Sequence, residues 1–281
     1  MPLQIAFGDQ SGAVSEHLLF EGIAYKLGRS SAADVVVQHP QVSRLHATLC
    51  SDMTDTQWTL DDTSSTGCYV NGKAVKHMTV EKNAIVHFGP VACRLTYLSP
   101  DDVARYDSQY FWRKQQLRQH EKALHTTVAT ASMLDVARHC LLQTLGCERA
   151  AMLLLDENGE FEQAIGHEPW MDSNDFSGSR TVIRKCIHSR EPIAIGDILA
   201  DDTFNAQQSV IRFGIKAALC VPIIVEDEVV GVLYGDNTQG RQYFSQTDVK
   251  LTQALANMLS LRLLFHAIEH NISLVKETRY V

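Results

Sequence analysis

Between Leu3 and Leu98 the hydrophobic positions come in short runs broken by turn residues: LLFEGIAYKLG, ADVVVQHP, HATLCSD, QWTLDDTSS, GCYVNGKAV, AIVHFG and CRLTYL. Runs of this length, rich in Val, Leu, Tyr and Thr, predict β-strands, and their even spacing predicts a β-sandwich. The Asn71-Gly72 pair between CYV and KAV predicts a hairpin, because a type I′ turn needs two residues that tolerate positive φ.

At SPDD the pattern changes. Ser99 caps a predicted helix that has Pro100 in its first turn, with Asp101 and Asp102 at the positive end of its dipole. Neither Gly nor Pro interrupts the chain from there to Gly146, so one or two helices form a stiff connector. ERAAMLLLDENGEFEQAIG then predicts two strands around Glu157-Asn158-Gly159, SRTVIRKCIHSR a helix, and LCVPIIVEDEVVGVLYGDN two strands with acidic turn residues. A final helix begins near Ser245, and the whole second half reads as an α+β domain on an antiparallel sheet.

The final helix carries two apolar stripes. Leu251, Ala254, Met258, Leu261, Phe265, Ile268, Ile272 and Val275 alternate spacings of three and four, a heptad seam, while Leu255, Leu259 and Leu263 form the other. A helix apolar on two sides has two surfaces to bury. One suits the domain's own sheet and the other a second subunit, although a wide stripe packed within one chain fits the same residues.

With 281 residues, the chain is long enough for two ordinary domains. The expected boundaries are 1–98 for the sandwich, 99–125 for the connector, 126–265 for the α+β domain and 266–281 for an extension of the last helix. The formal charge of −8 removes any overall attraction to nucleic acid or an anionic membrane. No secretory signal or spanning run is present in the sequence, so the expected place is the cytoplasm. Seven cysteines without a CxxC pair suggest packing rather than disulfides or zinc, and no metal site or cofactor is expected.

The polar positions on the sandwich are a different matter. GRSSAADVVVQHPQVSRLHATL sets two arginines, three serines and two histidines among strand residues. A phosphate dianion asks for this chemistry: a guanidinium for paired, charge-assisted hydrogen bonds, and small hydroxyls for the remaining oxygens. Gly28-Arg29, Ser43-Arg44-Leu45-His46, Ser64-Ser65-Thr66-Gly67 and Asn71-Gly72 together resemble the forkhead-associated (FHA) domain. That resemblance implies phosphate contacts from Arg29 and Ser43, a further hydroxyl from Ser65 and help at the rim from Arg44. It makes Gly28, His46, Gly67 and Asn71 structural supports. Thr66 departs from the family, which places an Asn there to contact the peptide backbone; a hydroxyl lacks the amide's paired donor and acceptor.

ERAAMLLLD, GIKAALCVPI, VVGVLYGDN and FSQTDVKLTQALANMLSLRL resemble a GAF domain, which implies a six-stranded antiparallel sheet with a small-molecule pocket. Cyclic nucleotide-binding members carry Asn-Lys, Phe and Asp-Glu; here the matching residues are Asn237-Thr238, Phe244 and Asp248-Val249. Without the lysine, the signature's Lys to Asp salt bridge cannot form, which argues against a cyclic nucleotide. Its small-molecule ligand stays unidentified, and the polar stretch from Asp197 to Gly214 is expected to cap the pocket that the resemblance implies, with Asp197, Phe204, Asn205 and Tyr234 lining it.

The expectation is a non-catalytic signalling protein and homodimer. Its first half would bind a phosphothreonine-containing partner, the target of a Ser/Thr kinase, and its second would sense a small ligand or mediate dimer contacts. Should the chain end at SLVKETRYV, its output would be protein binding. An interaction scaffold with a purely dimerising second half is one alternative, and a thiol-dependent reductase using Cys186 and Cys220 is another.

Overall fold

A computed structural model describes residues 1–9, 11–51, 57–126, 130–156, 159–161, 165–172, 177–196, 215–239 and 242–278. They form two compact units that divide after Tyr110.

The first unit contains eleven strands: β1 (Leu3–Gly8), β2 (Val14–Leu19), β3 (Ala24–Gly28), β4 (Val35–Val36), β5 (Ala47–Ser51), β6 (Trp58–Asp62), β7 (Cys68–Val70), β8 (Lys73–Val75), β9 (His77–Thr79), β10 (Ala84–Phe88) and β11 (Val91–Tyr97). They make a six-stranded sheet in the order β2-β1-β11-β10-β7-β8 and a five-stranded sheet in the order β4-β3-β5-β6-β9. All pairings are antiparallel except β3 with β4. The expected hairpin joins β7 and β8, with Asn71 at φ 49° and Gly72 at φ 75°.

Period-two alternation decides what this core contains. Ala47 and Leu49 of β5, and Trp58 and Leu60 of β6, point inward and are fully buried with Leu27, Val86, Phe88 and Leu95. The same alternation turns Asp62, at the end of β6, toward the interior. A buried carboxylate needs partners, and those it finds shape the site below.

Helix α1 (Pro100–Thr126) opens on the expected cap: Asp102 N–H donates to Ser99 Oγ at 3.2 Å, and Ser99 N–H donates to Asp102 Oδ2 at 3.0 Å. It is followed by α2 (Thr130–Leu145), β12 (Arg149–Leu154), α3 (Ser177–Ser189), β13 (Ile193–Ile195), β14 (Ala217–Val225), β15 (Glu228–Asn237) and α4 (Gln246–Thr278). The described sheet is four-stranded and antiparallel, in the order β12-β15-β14-β13. The strand expected after β12 is represented by a single bridge from Leu154 to Ile165; residues 162–164 lie outside the described residues. Glu226 (φ 49°) and Asp227 (φ 66°) make the tight acidic turn between β14 and β15.

Helix α2 packs on β12, and α3 and α4 pack on β14. The two stripes of α4 separate as their spacing predicts: Leu255 and Leu259 are buried, whereas Leu261, Phe265 and Ile268 are 51%, 50% and 44% exposed. Each buried leucine contributes about 1.5–3 kcal/mol of transfer free energy. The exposed three lie on one face over two turns and stay about half uncovered.

Candidate functional site

One end of the sandwich carries an open cleft of about 540 Å³, and Arg29, Gln41, Ser43, Arg44, Ser65 and Thr66 are among its lining residues. The loop after β3 meets the loop before β5 through backbone bonds: Arg29 N–H donates to Ser43 O at 3.0 Å and Ser30 N–H to Arg44 O at 3.2 Å. Gly28 makes this approach possible, since a Cβ there would lie 2.2 Å from the Arg44 carbonyl oxygen. Both arginine side chains are exposed, and among the described residues neither guanidinium is paired with a carboxylate. Between the loops, Ser43 Oγ lies 3.3 Å from Ser65 Oγ and accepts the Ser65 N–H at 3.3 Å.

His46 holds the cleft from beneath. It is fully buried, and its Nδ1 accepts the Ser43 N–H at 3.1 Å. The remaining proton therefore sits on Nε2, which donates to Gly67 O at 3.1 Å. One neutral ring thus fixes both loops, with the Phe88 ring edge-on at 5.6 Å. Burial lowers its pKa below the usual imidazole value.

Asp62 supports the second loop. Its Oδ1 accepts the Ser64 N–H at 2.9 Å and the Ser64 hydroxyl at 2.6 Å, and Ser64 Oγ accepts the Gly67 N–H at 2.7 Å. Lys76 donates to Oδ2 at 2.8 Å. Burial raises the carboxyl's pKa, but the bonds from Lys76 and Ser64 outweigh it and hold the value at about 2. His46, Asp62 and Cys68 have their ligand-type atoms within 4.8 Å of one another. Both His46 nitrogens and both Asp62 oxygens are engaged, however, so the trio is a polar buttress.

The structure thus brings Arg29, Ser43, Arg44, Ser65 and Thr66 to one cleft, places Gly28, His46 and Gly67 beneath it, and puts Asn71 in the β7–β8 turn. Asp62, Lys76 and the lining residue Gln41 escaped the sequence reading, which named Ser64 and Leu45 within its motifs without giving them a role. The Asp-Thr-Ser spelling at Asp62 was a usable signal, because Asp favours turns closed by the residue two positions on.

The FHA domain model matches residues 25–89 and the GAF domain model matches residues 129–263. The chain carries an FHA domain followed by a GAF domain. Among solved structures, the chain is similar to the FHA domain of the CT664 protein from Chlamydia trachomatis, with 22% identity, a TM-score of 0.33, and coverage of 35% of this chain and 100% of that one. It is similar to FHA-1 of Rv1747 from Mycobacterium tuberculosis, with 27% identity, a TM-score of 0.29 and coverage of 34% and 97%. The Slr1951 protein from Synechocystis sp. gives 28% identity, a TM-score of 0.31 and coverage of 35% and 97%. Among curated proteins, none matches this chain.

In the GAF domain the polar groups face inward. Arg149 makes two parallel hydrogen bonds to Asp236, both 2.7 Å, and its guanidinium lies 5.0 Å from the Trp170 ring centroid. The Tyr234 hydroxyl donates to Asp236 Oδ2 at 2.6 Å and lies 2.5 Å from Ser179 Oγ. Tyr234, Asp236 and Ser179 are all fully buried. Burial, with the Asp236 charge, pushes the phenol's pKa well up. Tyr234 therefore sits inside a closed network; Asp197, Phe204 and Asn205, its expected companions around a pocket, lie outside the described residues.

Asp248 does form a salt bridge, though not with a signature lysine. Its Oδ1 accepts from Arg113 of α1 at 2.9 Å, while its Oδ2 accepts the Ser245 N–H and hydroxyl at 2.7 and 2.8 Å. The acid keeps a cationic partner by taking one 135 positions away. Cys186 and Cys220 share one core and are fully buried; burial, then a hydrogen bond with Cys186, pushes the Cys220 thiol's pKa well up.

Proposed function

We propose that this chain is a non-catalytic signalling protein whose FHA domain binds a phosphothreonine-containing segment of a partner protein phosphorylated by a Ser/Thr kinase. The observation that carries this reading is the pair of uncompensated guanidinia, Arg29 and Arg44, beside the Ser43 and Ser65 hydroxyls in one open cleft. Such a set suits a dianion and little else: guanidinium forks take two oxygens, and hydroxyls take the third. Binding of phosphothreonine peptides to the full chain, with plain peptides and Arg29→Ala as controls, tests it. Phosphate-dependent binding lost in the variant supports the reading, and equal binding of phosphorylated and plain peptides refutes it.

The GAF domain is read as a ligand-sensing or dimer-forming module. The exposed row of Leu261, Phe265 and Ile268 favours the second role, because heptad-spaced apolar residues on a helix are buried most simply by a second copy. Light scattering on the full chain is expected to give twice the mass of one chain; a monomer at micromolar concentration would count against it. The burial and raised pKa of the Cys220 thiol argue against a reductase, since the thiolate is the reactive species. Among the described residues no helix is long and apolar enough to cross a membrane, and the cytoplasm remains the proposed location.

A further inference from the structure

Thr66 lies on the cleft, yet its hydroxyl is already committed: it donates to the Gln41 carbonyl oxygen at 3.0 Å, across to the opposite loop. Its own carbonyl accepts the Tyr69 hydroxyl at 3.1 Å, so the residue is held from both ends. Gln41 is fixed in turn by its N–H, which donates to His39 Nδ1 at 3.2 Å. We propose that Thr66 is a positioning residue that clasps the 39–43 and 64–67 loops into one cradle, and that the cradle reads the phosphate strongly and the flanking peptide sequence weakly. This inference rests on the reading of the cleft as a phosphopeptide site.

The clasp is one of three ties between the same loops. Ser65 N–H to Ser43 Oγ is the second, and the His46 ring, bonded to Ser43 N–H and Gly67 O, is the third. Of these, the Thr66 bond is the one in which a hydroxyl donates to a backbone carbonyl. An extended peptide presents N–H and C=O groups in alternation, and gripping its main chain takes a side chain that can donate and accept together. Thr66, with its proton spent on Gln41, has no hydrogen left for a peptide carbonyl. The donors that remain in the cleft are Arg29, Arg44, Ser43 and Ser65, all suited to phosphate oxygens, and the Gln41 side-chain amide, while Val42 and Leu45 contribute apolar lining. Gln41 supplies the one side-chain amide on that lining, so most of the free energy comes from charge-assisted bonds to the phosphate.

The test titrates the full chain and its Thr66→Val, Thr66→Ser and Thr66→Asn variants with a phosphothreonine peptide library of degenerate flanks, alongside Arg29→Ala. Thermal unfolding of each variant checks that folding is intact. Thr66→Val, which keeps the shape and removes the hydroxyl, is expected to weaken binding roughly three- to tenfold at unchanged melting temperature. Thr66→Ser is expected to restore it, which a merely space-filling role would not require. In the wild type, permuting the flanks should change affinity by less than about fivefold, and Thr66→Asn should widen that spread. The proposal falls if Thr66→Val binds as the wild type does, if Thr66→Ser fails as Thr66→Val does, or if the wild type selects flanks by about a hundredfold. Should these variants be silent while Arg29→Ala abolishes binding, the phosphopeptide reading stands and the clasp alone is overturned. If no protein in the set distinguishes phosphorylated from plain peptides, both fall together.

Discussion

The two domains treat charge in opposite ways. In the FHA cleft Arg29 and Arg44 stand exposed without acidic partners among the described residues, above a floor whose buried polar groups, His46 and Asp62, are fully bonded. In the GAF domain Arg149 is folded against Asp236, and Tyr234 and Ser179 close the remaining valences. A charge left uncompensated at a surface keeps its free energy for a ligand; a charge compensated inside has already given it to the fold. Similar residue types therefore line the proposed binding site in one domain and a structural network in the other.

The sharpest break of this comparison is Asp236→Ala. Removing one partner of a buried ion pair leaves Arg149 uncompensated and should cost about 3–5 kcal/mol of GAF stability. Denaturant unfolding of the full chain should show the transition of the GAF domain moving while that of the FHA domain stays in place. A mutant as stable as the wild type would mean that Arg149 finds water with little loss.

Arg29→Ala is the counterpart. Because that guanidinium is exposed and pairs with no carboxylate among the described residues, melting should be unchanged, while phosphothreonine peptide binding falls roughly ten- to hundredfold with the loss of a charged hydrogen-bond donor. Loss of both stability and binding would place Arg29 with the structural charges, against the comparison.

What could be read from the sequence follows from range. The β7–β8 hairpin, the Ser99 cap and the two stripes of α4 are written in neighbouring residues, and each signal has a local steric or hydrogen-bond cause. The cleft was legible because its residues are anchored at strand ends whose order follows the chain. Arg113 with Asp248 was not, since an ion pair between residues 135 apart depends on how α1 meets the start of α4. Nor was the clasp: Thr66 could be seen to differ from the expected Asn, but its bond to a backbone carbonyl 25 positions away leaves no trace in residue types.

Arg113→Ala tests that unread pair, with a smaller effect than Asp236→Ala. Asp248 is fully buried but retains its two bonds from Ser245, so the loss should be about 1–3 kcal/mol. Hydrogen exchange should quicken in the α1 segment around residue 113 and at the start of α4. Unchanged exchange in α1 would show that the ion pair does not hold the connector to the GAF domain.

The smallest effect concerns pH and separates the floor of the cleft from its rim. Burial lowers the His46 pKa from its ordinary 6.5, so the folded protein prefers the neutral ring. The sign follows: this contribution to stability is present in full above pH 6.5 and is lost as pH falls through the lower folded-state value. Protonation would place a hydrogen on Nδ1, where the Ser43 N–H already points, and would push apart the two loops that the ring joins. His17 and His120 are also lowered by burial and add slope over the same range. The informative quantity is therefore the difference between wild type and His46→Asn in melting temperature measured from pH 7.5 down to pH 5. A flatter profile in the variant assigns part of the slope to His46, and two parallel profiles would mean that the ring accepts its second proton without disturbing the loops.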